Sequence, residues 1–397
     1  RGPIRGVKKG ENRRVRILVA PDSFKGSLKS TEVASLIKKG LQRVDESWLI
    51  VERPLADGGE GTIEVLVQGT GGKMIEKEVT GPRGEKVKAH IGVISNEEIA
   101  VLEMAEVAGL TLLPSEERNP RFTTTYGVGE LIKEAVNLGF RHIILGIGGS
   151  ATNDGGMGAL RALGVKFFDQ EGRELKGEGD DLLLLSSIDS QHLFKKPEGV
   201  ELIIACDVKN PLYGEEGAAY VYGPQKGANP EEVEMLDRGL RNYARLVKEH
   251  TGIEIDYLPG AGAAGGIGAG LYAFWGAKFT SGIQLIMDIL GVEEEIKKAD
   301  LVISGEGKVD KQSLYGKVVS GVKEKCERWG KPLLLVGGKI TEEAFTLWED
   351  KVLALFSLAN GPMSEEEAFK KAPFLLEHLS FNLGRVWKGG GMWCLKK

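Results

Sequence analysis

The chain has 397 residues, 42% hydrophobic and 27% charged, with 52 Lys and Arg against 57 Asp and Glu for a net charge of −5. At ~100–200 residues per domain, that length predicts two or three domains. The weak acidity excludes the basic footprint of a dedicated nucleic-acid binder and gives no reason for an anionic membrane as partner, and no run is long and apolar enough to span a bilayer.

The three cysteines (Cys206, Cys326, Cys394) are widely separated without a C-x-x-C pair, and the five histidines show no H-x-x-x-H spacing. A disulfide framework and a zinc site are therefore not expected, and a reducing cytoplasm fits best. Residues 1–14, RGPIRGVKKGENRR, lack the apolar stretch of a secretory signal and read as a solvated basic tail.

In chain order, VRILVA (residues 15–20) predicts a buried strand. A helix follows from about Ser30 to Val44, with Val33, Leu36, Ile37, Leu41 and Val44 on one face. A second strand from about Trp48 to Pro54 leads into ADGGEGT and a short helix. Residues 76–106 then alternate as strands with tight turns and predict an antiparallel meander. A helix near 127–138, the strand HIILGIG and the strand ELIIACDV come next. The long helix from about Asn229 to Glu249 has Asn229 as N-cap and Pro230 at its first position. From about residue 300 the opening rhythm returns with ADLVISG, PLLLVGG and KVLALFSL, each followed by a helix.

Five βα units of one style, split by about 200 residues of another, predict a discontinuous α/β fold. A Rossmann- or flavodoxin-like parallel-sheet domain (15–72 plus 291–388) would carry a second α/β domain (73–290) inserted in it.

Glycine is the compositional outlier, 56 residues, about twice the usual ~7%. It clusters in ADGGEGT, GIGGSATNDGG, PGAGAAGGIGAG, SGEGKVD and LVGGK, read as loops at strand ends where backbone amides can approach a phosphorylated ligand. In parallel sheets ligands bind beyond the carboxyl ends of the strands. The charged and hydroxyl residues fall there: Asp22, Ser23, Lys25 and Ser27; Asp57 and Glu60; Ser150, Thr152, Asn153 and Asp154; Asp207 and Lys209; Glu306, Lys308 and Asp310. Carboxylates beside glycines, hydroxyls and lysines are the parts of phosphoryl transfer: amides and lysines hold phosphates, one carboxylate holds magnesium and another takes the acceptor's proton. Asp22 or Ser23 could equally cap a turn, and Asp154 could equally be a plain helix N-cap. Asp207 closes an apolar strand, where an unpaired charge is costly.

The Walker A loop and the protein-kinase motifs are absent. Gly260 to Gly265 matches G-x-G-x-x-G but lies deep in the chain after Pro259. An NAD-dependent oxidoreductase using it, or a non-catalytic sugar-acid sensor, are the alternatives to a kinase.

APDSFKGSL, ADGGEGT, TGPRGEKV, GIGGSATNDGG, ACDVKNPLYG, GPQKGA, PGAGAAGGIGAGL and GEGKVDKQS, in this order, resemble the type 1 glycerate kinase family from about Val15 to about Ala368. The resemblance implies a cytoplasmic enzyme that phosphorylates D-glycerate, usually at the 2-hydroxyl, using ATP and magnesium in the interdomain cleft of a two-domain α/β fold. Carried onto this chain, it implies Asp207 as the base and Lys25 on the transferring phosphate or the glycerate carboxylate. Asp22, Ser23, Arg83, Glu306, Lys308 and Asp310 would bind substrate. Gly148, Gly149, Ser150, Thr152, Asn153, Gly155, Gly156, Gly262 and Gly265 would bind nucleotide phosphates, with Asp57 or Asp154 at the magnesium. Lys308 stands where Arg is expected and Thr125 where Ser is common; the segment KGGGMWCLKK matches nothing in the family.

Overall fold

The computed structural model describes residues 13–94, 98–315 and 317–393; the first twelve residues of the basic tail and Cys394 lie outside them. Thirteen strands occur among the described residues. They are β1 (Arg16–Val19), β2 (Leu49–Glu52), β3 (Lys73–Thr80), β4 (Lys86–Ile94), β5 (Ile99–Glu103), β6 (His142–Gly146) and β7 (Lys166–Phe168), followed by β8 (Ser187–Asp189), β9 (Glu201–Ala205), β10 (Lys278–Thr280), β11 (Leu301–Val309), β12 (Leu333–Ile340) and β13 (Ala354–Ser357).

The first and last strands form one five-stranded sheet, order β2-β1-β11-β12-β13, every pair parallel. Numbered within this sheet, the order is 2-1-3-4-5, the flavodoxin-like doubly wound arrangement, whose switch point lies between β1 and β11. Ile17, Val19, Leu301, Ile303, Leu334 and Val336 bury one face against the helices Ser30–Gln42 and Glu365–Trp393. Gly40 sets how closely those helices approach: a Cβ there would lie 2.3 Å from the Glu377 carbonyl oxygen.

The second sheet is mixed, order β3-β4-β5-β6-β9-β10. β3, β4 and β5 are the antiparallel meander, and β5, β6, β9 and β10 run parallel. β7 and β8 pair as a separate hairpin. The long helix is Pro230–Thr251, and Asn229 and Glu232 form the capping box at its start.

Contacts divide the chain into two units, one reaching to Pro54 with Val292–Lys311 and Val322 onward, the other Leu55–Gly291 with Gln312–Gly321. The first crossing thus falls at Pro54, one helix before the expected residue 72, because helix Thr62–Thr70 packs on β4 and β5.

Three glycine clusters differ from the loops expected. SGEGKV lies within β11 and LVGGK within β12, paired as far as Val309 with Ile340. Gly305 and Gly338 let these strands close up, since a Cβ would meet the Val336 oxygen at 2.2 Å and the Gly307 oxygen at 2.6 Å. PGAGAAGG follows no strand and opens helix Ile267–Trp275.

Candidate active site

In the second unit the carboxyl edge of the parallel strands carries the most reactive arrangement. Asp207 stands two residues beyond β9. Its Oδ1 accepts from the Ser281 hydroxyl at 2.6 Å and its Oδ2 from the Ile283 amide at 3.2 Å. Burial pushes its pKa up to about 6; the Ser281 and Ile283 hydrogen bonds oppose this, and the charge of Asp57 adds to it. Carboxylates in that range are suited to accept a proton near neutral pH.

Asp57 reaches the same edge through the ADGGEGT loop. Gly58 and Gly148 let that loop lie on the strand ends: a Cβ on Gly58 would be 3.1 Å from the Ala205 oxygen and one on Gly148 2.7 Å from the Gly59 Cα. Asp57 is exposed and its Oδ1 accepts from the Gly59 amide at 3.1 Å. Glu103, at the end of β5, holds the far side of the loop by accepting from the Gly61 and Ile63 amides at 3.0 and 3.1 Å. Burial raises its pKa to about 7.

The GIGGSATNDGG segment turns inward after its first residues. Gly149 is exposed and Gly148 half-buried, whereas Ser150 through Gly156 are buried. Asp154 is wholly buried, accepting from the Thr125 amide and hydroxyl at 2.8 and 2.7 Å and from the Gly156 and Gly158 amides at 2.9 and 3.2 Å. Three of these donors reach Oδ2 and one reaches Oδ1, so Asp154 braces the turn before helix Met157–Ala162, whose N-cap is Gly156 and not the expected Asp154. Thr152 Oγ1, both polar atoms of Asn153 and the Tyr243 hydroxyl are buried without a hydrogen-bond partner among the described residues. The Lys226 ammonium, also buried, donates to the Thr152 carbonyl at 2.6 Å, and burial pushes its pKa down to about 7 against the pull of Asp154.

Gly262 and Gly265 pack closely on neighbouring backbone. A Cβ on Gly262 would sit 2.1 Å from the Pro211 oxygen, and one on Gly265 2.2 Å from the Thr152 oxygen. This segment therefore also lacks the strand-to-helix setting that a dinucleotide fingerprint needs.

In the first unit the expected residues converge at the switch point. The Asp22 amide donates to the Gly305 carbonyl at 2.9 Å, and Asp22 Oδ1 accepts from the Ser23 amide at 2.7 Å. Lys25 is exposed on a tight turn bridged by Phe24 and Leu28, and a Cβ on Gly307 would lie 3.0 Å from its amide nitrogen. Glu306 is buried on β11, and Lys308 pairs with Asp310 at 3.5 Å.

Arg83 pairs with Glu117 at 3.1 Å on the β3–β4 turn, and β4, β5 and β6 lie between β3 and β9 in the sheet.

Three polar residues of this edge escape a reading of the sequence alone. Ser281 had a visible signal, a cap residue directly before the apolar run GIQLIMDIL. Lys226 lay inside GPQKGA without a role, and Glu103 ended an apolar strand with nothing to mark its partners.

Among the described residues no cluster of three or more His, Cys, Asp or Glu could enclose a metal by itself. Magnesium commonly takes one or two carboxylates and completes its shell with phosphate oxygens and water, so the exposed Asp57 fits such an ion.

Comparison with known proteins places the chain among kinases. A glycerate kinase from Halalkalibacterium halodurans is 42% identical over 93% of this chain and 97% of its own length. The glycerate 2-kinase of Escherichia coli K12 is 42% identical over 90% and 94%. A crystal structure from Salmonella typhimurium LT2, assigned as glycerate kinase 2, superposes with a TM-score of 0.82 at 42% identity, covering 96% of this chain and all of that one. The model of the glycerate kinase family matches residues 17–388, and with these relatives it shows that the chain belongs to that family and is a kinase, a phosphotransferase.

Proposed function

We propose that this chain transfers the γ-phosphoryl group of ATP to the 2-hydroxyl of D-glycerate by in-line displacement, giving 2-phosphoglycerate. The 42% identity to a protein named glycerate 2-kinase supports that position of attack. The observation that carries the mechanism is Asp207, a carboxylate at the carboxyl edge of the parallel strands with its pKa raised to about 6.

In this reading Asp207 orients the acceptor hydroxyl and takes its proton late in a loose transition state, while cationic and amide donors stabilise the transferring group. Lys25 neutralises that group or anchors the glycerate carboxylate. Asp22, Ser23, Glu306, Lys308 and Asp310 shape the acceptor side. Gly149 offers its amide to the nucleotide phosphates; Gly148, whose amide donates to the Gly58 carbonyl at 3.3 Å, supports it from behind with Ser150 to Gly156, Gly262 and Gly265. Asp57 would hold magnesium, which would supply charge neutralisation on the phosphates. Product analysis by phosphorus NMR tests the proposal: the 2-phosphate of glycerate is expected, and formation of the 3-phosphate would overturn the position of attack.

A further inference from the structure

We infer that Ser281 is a positioning residue for phosphoryl transfer, acting through Asp207. The inference rests on the reading of Asp207 as proton acceptor.

The direction of the Ser281 hydrogen bond is fixed by its second partner. Its Oγ accepts from the Gln284 amide at 3.3 Å as the cap of helix Gly282–Ile289. The hydroxyl proton is left for Asp207 Oδ1 at 2.6 Å, while Oδ2 takes the Ile283 amide. A carboxylate has about four acceptor sites, and the Ser281 hydroxyl with the Ile283 and Gly282 amides occupies three, leaving one for the substrate hydroxyl. The Ser281 and Ile283 bonds hold the carboxyl group at both ends and aim that open site.

The start of the helix can come this close because residue 282 is glycine. A Cβ there would meet the Asp57 carbonyl oxygen at 2.6 Å and Asp207 Oδ2 at 3.0 Å. Ser281 is exposed on the same edge, so water competes for Asp207 once the hydroxyl is removed.

Capping and orientation can be separated by substitution. Glycine caps nearly as well as serine but has no hydroxyl, and threonine keeps both features. We expect Ser281→Gly to lower kcat about 10- to 100-fold, the scale of one hydrogen bond to a charged group, with KM for ATP and D-glycerate and the Tm nearly unchanged. Ser281→Thr should restore turnover, and Ser281→Gly should add no further loss in an Asp207→Asn background. Normal kcat in Ser281→Gly, failure of Thr to restore it, or an undiminished loss in the Asp207→Asn background would each overturn the inference. If Asp207→Asn itself keeps full turnover, the base reading falls and this inference with it; if Asp207→Asn is impaired and Ser281→Gly is not, only this inference falls.

Discussion

The ammonium of Lys226 hydrogen-bonds the carbonyl oxygen of Thr152 at 2.6 Å, with both residues buried. Desolvation brings the folded-state pKa of this lysine to about 7, whereas an unfolded lysine titrates near ~10.4. Between those values the unfolded chain binds more protons, so this group makes stability rise with pH from about 7 to about 10. Below 7 both states are protonated and its contribution is flat. Lys226→Met should remove the rise, which urea unfolding at a series of pH values would reveal; an unchanged slope in the variant would contradict the burial argument.

Asp154 and Asp57 should separate into structure and chemistry. Asp154→Ala leaves four buried donors without an acceptor, each at a cost of about 1–3 kcal/mol, and should unfold the chain at markedly lower urea. Asp57→Asn lies in an exposed position and should leave the urea midpoint close to the parent while raising the magnesium concentration needed for half-maximal turnover. The reverse pattern would return Asp154 to the metal.

Asp207→Asn keeps the side-chain shape but removes the proton acceptor. Turnover with D-glycerate should fall by roughly 10²–10⁴-fold while ATP affinity changes little. In the parent enzyme kcat/KM should decline as pH drops through about 6, since the base must be ionised to accept a proton. A pH-rate profile flat from 5 to 8 would exclude Asp207 from that role.

Lys25 is exposed, so Lys25→Met should alter kcat/KM by about 10²-fold or more without moving the Tm. Glycerol, which lacks the carboxylate, should be a poor acceptor for the parent enzyme. Equal turnover of glycerol and D-glycerate would remove the need for any carboxylate anchor.

Gly265 adopts φ +68 beside the Thr152 oxygen. Gly265→Ala adds both left-handed strain and a clash, together about 2–4 kcal/mol of destabilisation, measurable by urea titration. A neutral effect would show that the segment can move away from Thr152.

The antiparallel meander, the capped long helix and the discontinuous parallel sheet were readable from period and caps, whereas the three-residue strands β7, β8 and β10 are too short to leave a periodic signal. Those signals are local, and parallel strands buried on both faces leave an apolar signature that survives without tertiary information. The eight ordered motifs likewise identified the chemistry. Tertiary structure alone decided which polar residue faces solvent. Asp57 and Asp154 both lie in glycine-rich segments that follow strands in the sequence, yet one is exposed and the other has four donors around it. The SGEG and LVGGK glycines look like phosphate loops but lie in paired strands, because a missing Cβ serves close backbone packing as readily as ligand approach. Ser281 meets Asp207 across 74 residues through the parallel pairing of β9 and β10, a contact set by register that no spacing along the chain encodes.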